Sequence, residues 1–213
     1  MGRVRALRAR GGQLGSLALA FTAMVASGPG QSFLIAVFVD EMLAGTGLSR
    51  TAFSALYAAG TVVSALTMLW VGRLADRRGL RWVWVAASLG LAGACVVASA
   101  AQGLVLAFLG LAFLRTFGQG SFPLLGTLLV STSFAGRRGQ AMAVASLGLT
   151  AASVLLAPLA VWLVVELGWR DAYRVLGLAV LVLVVPLVRL VPARPRRPGG
   201  TVERAGAFPR ALR

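Results

Sequence analysis

The sequence contains no histidine, a single cysteine and few charged residues. Charged side chains make up 13% of the 213 residues, whereas soluble globular domains carry about 25%. The absence of histidine excludes histidine–cysteine zinc sites and imidazole-based catalysis, and a lone Cys95 excludes an intrachain disulfide. We therefore predict no catalytic residue, no metal and no cofactor, and interpret the protein as one that is not an enzyme.

Apolar residues dominate the composition instead, at 58% of the chain. A membrane-spanning helix needs about 20 mostly apolar residues, and the sequence has room for several. We predict an all-α integral membrane protein with six transmembrane helices, at about 14–39 and 52–71, a third and a fourth separated by a turn inside the run 82–114, and at about 140–165 and 175–191. The charge-free run 82–114 is too long for one crossing, and its break is predicted at Gln102-Gly103.

The basic residues are all arginines, and their positions predict the orientation in the membrane. They cluster in the amino-terminal segment, in the loop 72–81, at 137–138 and from 189 onward, while the other side holds three arginines and four acids. Because cytoplasmic loops carry an excess of basic residues, we place both termini in the cytoplasm of a multi-pass inner (plasma) membrane protein. Topology alone explains the net charge of +15, so the bilayer is the predicted partner and nucleic acid is not.

Three regions follow from this pattern. Residues 1–13 form a basic cytoplasmic amino terminus, 14–191 the six-helix transmembrane domain, and 192–213 a basic cytoplasmic tail with too few apolar residues to fold. A secretory signal peptide is the alternative interpretation of the start, with small residues at Ala26-Ser27. The apolar run continues to Val39, well beyond the usual core of about 7–15 residues, which favours a spanning helix.

The first predicted helix contains Gly28-Pro29-Gly30 near its middle. Pro29 lacks the N–H that a continuous helix requires, so we predict a helix break at these three residues. Broken helices at membrane depth border a cavity or packed protein. The neighbouring Gln31 favours a cavity, and a kink that only serves packing is the alternative.

Two predicted helices carry a polar face. At 100° per residue, five polar side chains of the second helix lie within about 80° of one another. They are Arg50, Ser54, Tyr57, Thr61 and Ser64, and the fifth helix repeats the pattern more weakly with Ser146, Thr150 and Ser153. A polar face favours a cavity over lipid, and the alternative is that these hydroxyls only join neighbouring helices.

Arg115 lies well inside the fourth predicted helix, and Gln119 follows one turn later. A charge near the bilayer centre costs about 2.5 to 3.5 kcal/mol, so such residues usually face the bundle interior or water. Arg115 is the candidate for binding an anionic solute, and a structural arginine that holds neighbouring helices is the alternative. The predicted solute pathway comprises Gln31, Ser54, Tyr57, Thr61, Arg115, Gln119, Ser146 and Thr150.

The loop after the second predicted helix reads GRLADRRGLR from Gly72 to Arg81. It resembles the G-x-x-x-D-R-x-G-x-R signature between the second and third helices of major facilitator superfamily transporters. The resemblance implies a conformational latch formed by Gly72, Asp76, Arg77, Gly79 and Arg81, while a basic loop set by topology alone is the alternative. Arg115 with Gly118 and Gly120 is similar to the family's fourth-helix arginine motif, although Gln119 occupies the position of its usual glycine.

The resemblance also implies an architecture and a function. Family members have twelve helices in two six-helix halves, and residues 14–191 resemble the amino-terminal half. The implied function is that of a transporter half, a symporter or antiporter, which moves a small solute by alternating access with a second half or as a homodimer. Gly30-Gln31-Ser32-Phe33 and Leu48-Ser49-Arg50-Thr51 are similar to the monocarboxylate and oxalate/formate-like branch, which makes an organic anion the candidate solute. A truncated non-transporting fragment or a regulatory membrane subunit is the alternative.

Overall fold

The computed structural model describes residues 2–134 and 136–191, with side chains from residue 12 onward. The described part is helical, which confirms the predicted all-α class at that level. The helices are α1 (Gly2–Ala26), α2 (Ser32–Thr46), α3 (Arg50–Arg78), α4 (Leu80–Ser99), α5 (Gly103–Phe113), α6 (Phe122–Ser133) and α7 (Arg138–Ala179). The predicted tail, 192–213, lies outside the described residues.

Shorter helical pieces of other types connect or extend these helices. A 3-10 turn (Gly28–Gly30) separates α1 from α2, at the predicted helix break. A π-helical segment (Leu114–Ser121) joins α5 to α6 within one long rod. A π turn (Val180–Val184) and a 3-10 turn (Val185–Arg189) continue α7.

Five helical stretches of the described part are long and apolar enough to cross a membrane. They are Gly12–Thr46, Arg50–Arg78, Leu80–Ser99, Gly103–Ser133 and Arg138–Arg189. These stretches support a multi-pass membrane protein, as predicted. They number five where six spans were predicted, because the last stretch, of 52 residues, contains both the fifth and the sixth predicted helix.

The helices extend beyond the apolar runs that predicted them. Helix α3 begins at Arg50 rather than Ala52, because the Ser49 hydroxyl caps its first turn by accepting a hydrogen bond from the Ala52 N–H at 3.2 Å. The same helix continues to Arg78. The basic side chains in its last turn stabilise the helix, because they lie near the negative end of the helix dipole. It ends at Gly79, whose φ of 85° and ψ of 162° are essentially restricted to glycine.

Large aromatic side chains form the centre of the core. Phe38 of α2 stacks on Tyr173 of α7 with ring centroids 4.1 Å apart, and Trp84 of α4 meets Phe122 of α6 edge-on at 5.9 Å. All four side chains are fully buried. Each aromatic pair adds about 0.5–1.5 kcal/mol beyond its buried area, so these contacts fix how α2, α4, α6 and α7 pack.

The backbone of α7 is interrupted at Gly168, where φ is 79° and ψ is 158°. The part of α7 before Gly168 lies along the first apolar stretch, which contains α1. Gly148 packs directly against the backbone of Phe21, and Leu156 fills the space beside Gly28. Both contacts advance along the two helices together, so this part of α7 runs in the same direction as α1.

The part after Gly168 lies along α4 instead. The Trp84 indole N–H, near the start of α4, donates to the Val184 carbonyl at 2.9 Å. Towards the end of α4, a Cβ added to Gly177 would lie 3.0 Å from the Cβ of Cys95. Later residues of α4 thus contact earlier residues of this part of the chain, so this part runs antiparallel to α4.

Candidate functional site

The two interrupted stretches cross at their interruptions. The turn Gly28–Gly30 lies against the π-helical segment so closely that neither side has room for a side chain. A Cβ on Gly118 would lie 2.6 Å from the Gly30 Cα, and a Cβ on Gly30 would lie 2.8 Å from the Gly118 Cα. Gly118, next to the Gln119 that occupies the position of the motif's usual glycine, makes this close approach.

The sequence offers a local reason for the π-helical segment. Pro123, at the start of α6, has no N–H to donate to the Gln119 carbonyl, and its ring would clash with that carbonyl in a regular helix. The wider π turn relieves this conflict, and the Ser121 hydroxyl donates to the Thr116 carbonyl at 2.9 Å. Single π turns within helices occur frequently at functional sites.

Arg115 projects from this π-helical segment and is only 6% exposed. Its Nε donates to the Thr61 hydroxyl at 3.0 Å, and its Nη1 donates to the Tyr57 hydroxyl at 2.7 Å and to the Ser32 hydroxyl at 3.1 Å. Its Cζ also lies 4.5 Å from the centre of the Tyr57 ring. Neutral side chains of α2 and α3 therefore hold the guanidinium group.

No carboxylate within 12–134 and 136–191 pairs with Arg115. The two ion pairs found there join Arg50 to Asp40 and Arg174 to Asp171, and all four side chains are exposed. The Nη2 atom of Arg115 makes no hydrogen bond to another described residue, which leaves two N–H donors available. The arrangement is a buried cation with unused donors, which suits an anion.

Ser32 is a member of this cluster that sequence reasoning did not assign. It is the first residue of α2, directly after the helix break, and its hydroxyl lies 2.7 Å from that of Tyr57. The break redirects the helix at this point, so helical periodicity counted from α1 could not predict the orientation of Ser32. Its position immediately after Gly-Pro-Gly-Gln was the available signal.

The two glutamines of the predicted pathway lie near the cluster and do not hydrogen-bond to Arg115. The Gln31 side chain is buried and donates to the Ser27 hydroxyl at 2.9 Å, so it stabilises the turn. Gln119 is half-buried, and its Oε1 has no hydrogen-bond partner among the described residues. The cluster therefore consists of Arg115 and three hydroxyls.

The remaining predicted pathway residues lie on exposed faces of α3 and α7. Ser54, Ser146 and Thr150 are exposed, and no hydrogen bond within the described part of the chain joins them to Arg115. Of the five apolar stretches, α3 is the least buried and the one containing α7 is next. These faces are available to lipid or to another protein surface.

The residues of the implied latch are not joined to one another. Asp76 and Arg77 are exposed, and Asp76 forms no ion pair with any described side chain. Arg81 donates from Nε to the carbonyl of Val191 and so holds the end of the described chain against the start of α4. Gly72 borders open space.

Comparisons with known proteins agree with this architecture. The model of the Major Facilitator Superfamily matches residues 18–213. Human monocarboxylate transporter 11 is 37% identical over 161 residues, which cover 71% of this chain and 32% of that protein. The chain thus spans about a third of the length of this relative. Since the family model covers nearly the whole chain, the chain belongs to the Major Facilitator Superfamily, which confirms the predicted family.

Proposed function

We propose that this protein forms one half of a membrane transporter for a small organic anion and that Arg115 receives the anion. The observation that carries the proposal is the environment of Arg115, which is 6% exposed and bonded only to hydroxyls in the described structure. A buried charge in a membrane protein is costly and usually marks a solute or ion path. A bound anion would supply the missing counter-charge.

A carboxylate is the anion that fits best. A guanidinium group binds carboxylates through parallel N–H donors, and Nη2 of Arg115 retains two of them. Tyr57 and Ser32 hold the other side of the group in place, so little ordering is required when the anion binds. The name of the relative, a monocarboxylate transporter, points to the same class, and family membership favours a transporter over an enzyme.

We infer that the chain crosses the membrane six times. The backbone angles of Gly168 (79°, 158°) nearly equal those of Gly79 (85°, 162°), where α3 gives way to α4. The part of α7 before Gly168 also runs in the same direction as α1, whereas the part after Gly168 runs antiparallel to α4. Both observations support a division of the stretch Arg138–Arg189 into two crossings.

Six crossings place both chain ends on one side of the membrane, which we propose is the cytoplasm. The arginines of the loop 72–81 and those at 137–138 then lie on the same side as the ends, as expected for cytoplasmic loops. Exposed Trp70 and Trp82 flank the first of these loops, and exposed Trp162 lies near the opposite side. Tryptophan is enriched at both membrane surfaces, which supports this placement in an inner (plasma) membrane.

Alternating access requires a second six-helix half, on the same polypeptide, on another, or as a second copy of this chain. A single half cannot enclose a cavity that opens to either side in turn. We propose that the exposed polar residues of α3 and α7 face that half. These residues are Ser54, Ser146 and Thr150, and in the same arrangement Gly72, Asp76, Arg77, Gly79 and Arg81 form the latch against it.

Uptake by proteoliposomes tests the proposal. We expect the full-length protein, assembled with a second six-helix half, to accumulate radiolabelled monocarboxylates but not neutral amides of the same size. The substitution Arg115→Met should lower uptake at least about tenfold, equivalent to about 1.4 kcal/mol, because the cationic group that binds the anion is lost. Arg78→Met removes an exposed arginine outside the cluster and serves as the matched control, with uptake within about twofold of wild type.

Two results would contradict the proposal. Wild-type uptake by Arg115→Met would remove Arg115 from the pathway. Absence of uptake across the monocarboxylate panel by folded protein assembled with a second six-helix half would instead favour a non-transporting membrane subunit.

A further inference from the structure

A cavity separate from the Arg115 cluster lies at one end of the bundle. It has a volume of about 520 Å³ and opens between α1, the end of α6 and the start of α7. Two of the apolar stretches have an end here, since Phe134 directly follows the fourth stretch and Arg137 directly precedes the fifth. The cavity therefore lies at the level where the bilayer meets water.

The lining of the cavity changes from polar to apolar with depth. Gln13, Arg137 and Gln140 line its outer part. Leu17 lies one turn further along α1, and Val144 lies one turn further along α7. A turn advances a helix by about 5.4 Å, so a ligand with a polar head and an apolar body would match this gradient.

The charge of the cavity favours an anionic head. Arg137 lines it and makes no hydrogen bond or ion pair with the described side chains, and none of the described lining residues is acidic. The neighbouring Arg138 donates to the Phe134 carbonyl at 2.9 Å, which holds a second positive charge nearby. The first turn of α7 has no side-chain cap, so its N–H groups add to the positive potential.

An exposed apolar track continues from the cavity. Val144 is 43% exposed, and Leu147 lies one turn deeper on α7 and is 58% exposed. Leu14, next to Gln13 on α1, is exposed as well. A small soluble anion would not contact these apolar side chains, whereas an acyl chain would cover them.

We propose that this cavity binds an anionic glycerophospholipid. Its phosphate lies against Arg137 and Gln140, and its acyl chain follows Val144 and Leu147. Basic pockets between helix ends on the cytoplasmic side are suited to lipid head groups. The inference uses the proposed cytoplasmic placement of this end of the bundle, and it is independent of the proposed transport of an organic anion.

Lipid binding to the detergent-purified, full-length protein tests this site. Native mass spectrometry with phosphatidylglycerol and with phosphatidylcholine of the same acyl chains gives an apparent dissociation constant for each lipid. We expect tighter binding of phosphatidylglycerol. Arg137→Gln should weaken that binding about fivefold, the effect of one basic residue at a membrane surface. Gln140→Leu should weaken it by a smaller factor, and binding of phosphatidylcholine should change little in both variants.

The control variant is Arg78→Gln, which removes an exposed arginine predicted to lie on the same side of the membrane and outside the cavity. Phosphatidylglycerol binding within about twofold of wild type in this variant supports a defined site. Equal losses in Arg78→Gln and Arg137→Gln would reveal diffuse charge attraction and overturn the proposal. Equal binding of the two lipids, unchanged binding by Arg137→Gln, or displacement of the lipid by millimolar inorganic phosphate would overturn it too.

Discussion

Arg115 is buried and Arg170 is half-buried, and the two arginines have different kinds of partners. Arg170 donates from Nη2 to the Ala101 carbonyl at 3.2 Å and to the Gly45 carbonyl at 3.5 Å, and its Cζ lies 4.2 Å from the Trp169 ring. Gly45 lies in the last turn of α2, and Ala101 lies two residues beyond the end of α4, so both carbonyls are near helix ends that carry partial negative charge. Arg115 has three hydroxyls instead, which carry no net charge.

This difference distinguishes a structural arginine from a candidate binding arginine. The count of unused donors does not, because Nη1 of Arg170 is also buried without a partner among the described residues. The ends of α2 and α4 partly compensate the charge of Arg170, and its hydrogen bonds hold them against the part of α7 that follows Gly168. The Tyr57 ring faces the guanidinium group of Arg115, but no carboxylate or backbone carbonyl of the described residues is bonded to it.

The largest expected effect concerns the backbone crossing on which the Arg115 cluster depends. Gly118→Ala would place a Cβ 2.6 Å from the Gly30 Cα, where backbone on both sides has no flexible side chain to move. We expect unfolding free energy to fall by about 3 kcal/mol, the upper part of the usual range for overpacking. Thermal unfolding in detergent measures the change.

The matched control is Gly93→Ala, in the middle of α4, where an added Cβ meets nothing within 4 Å. This variant should be more stable than wild type by about 0.5–1 kcal/mol, because alanine suits a helix better than glycine. Equal stability of the two variants would mean that the crossing is not tight.

An exchange of each arginine for methionine tests the comparison directly. Arg170→Met removes the ties to Gly45 and Ala101 and should lower the unfolding free energy by about 2 kcal/mol, typical of a hydrogen-bonded charged group. Arg115→Met should stay within about 1 kcal/mol of wild type, since replacing an uncompensated buried charge by an apolar side chain is often neutral. Chemical denaturation of both variants gives the two values. A greater loss in Arg115→Met would identify Arg115 as the structural arginine.

The smallest expected effect comes from single hydroxyls. Tyr57→Phe keeps the ring beside Arg115 but removes the hydroxyl that bonds to Arg115 and Ser32. We expect KM for the transported monocarboxylate to rise about fivefold, corresponding to about 1 kcal/mol for one hydrogen bond. Tyr173→Phe is the control, because the Tyr173 hydroxyl is buried without a hydrogen-bond partner in the described part. Equal KM changes in both variants would refute the specific role of Tyr57.

The predicted start of the sixth helix, at Val175, differs from the structure for an instructive reason. Charged residues between Glu166 and Arg174 ended the apolar pattern, which put the predicted start of the sixth helix at Val175. In the structure the helix resumes directly after Gly168. Trp169 and Tyr173 face the core, while Asp171 and Arg174 pair at 2.7 Å on the exposed side. A helix end tolerates charge on one face, which a hydropathy average does not resolve.

The site was predicted in part by helical periodicity. Spacing along α3 placed Tyr57 and Thr61 on one face, and the structure brings that face to Arg115. Ser32 was not predicted, because its direction depends on the geometry of the helix break. Whether Ser54, Ser146 and Thr150 contact a solute stays a prediction.

The amino-acid sequence by itself determined that this is a helical membrane protein, where its first crossing breaks, and that one arginine lies at membrane depth. Those properties depend on local chemistry: apolar length, the missing N–H of Pro29, and the cost of a buried charge. Only the tertiary structure decided that Arg115 meets hydroxyls while Arg170 meets helix ends. The partners of each arginine come from helices that are distant in sequence. Which residues of those helices reach the arginine depends on how closely the helix backbones pack.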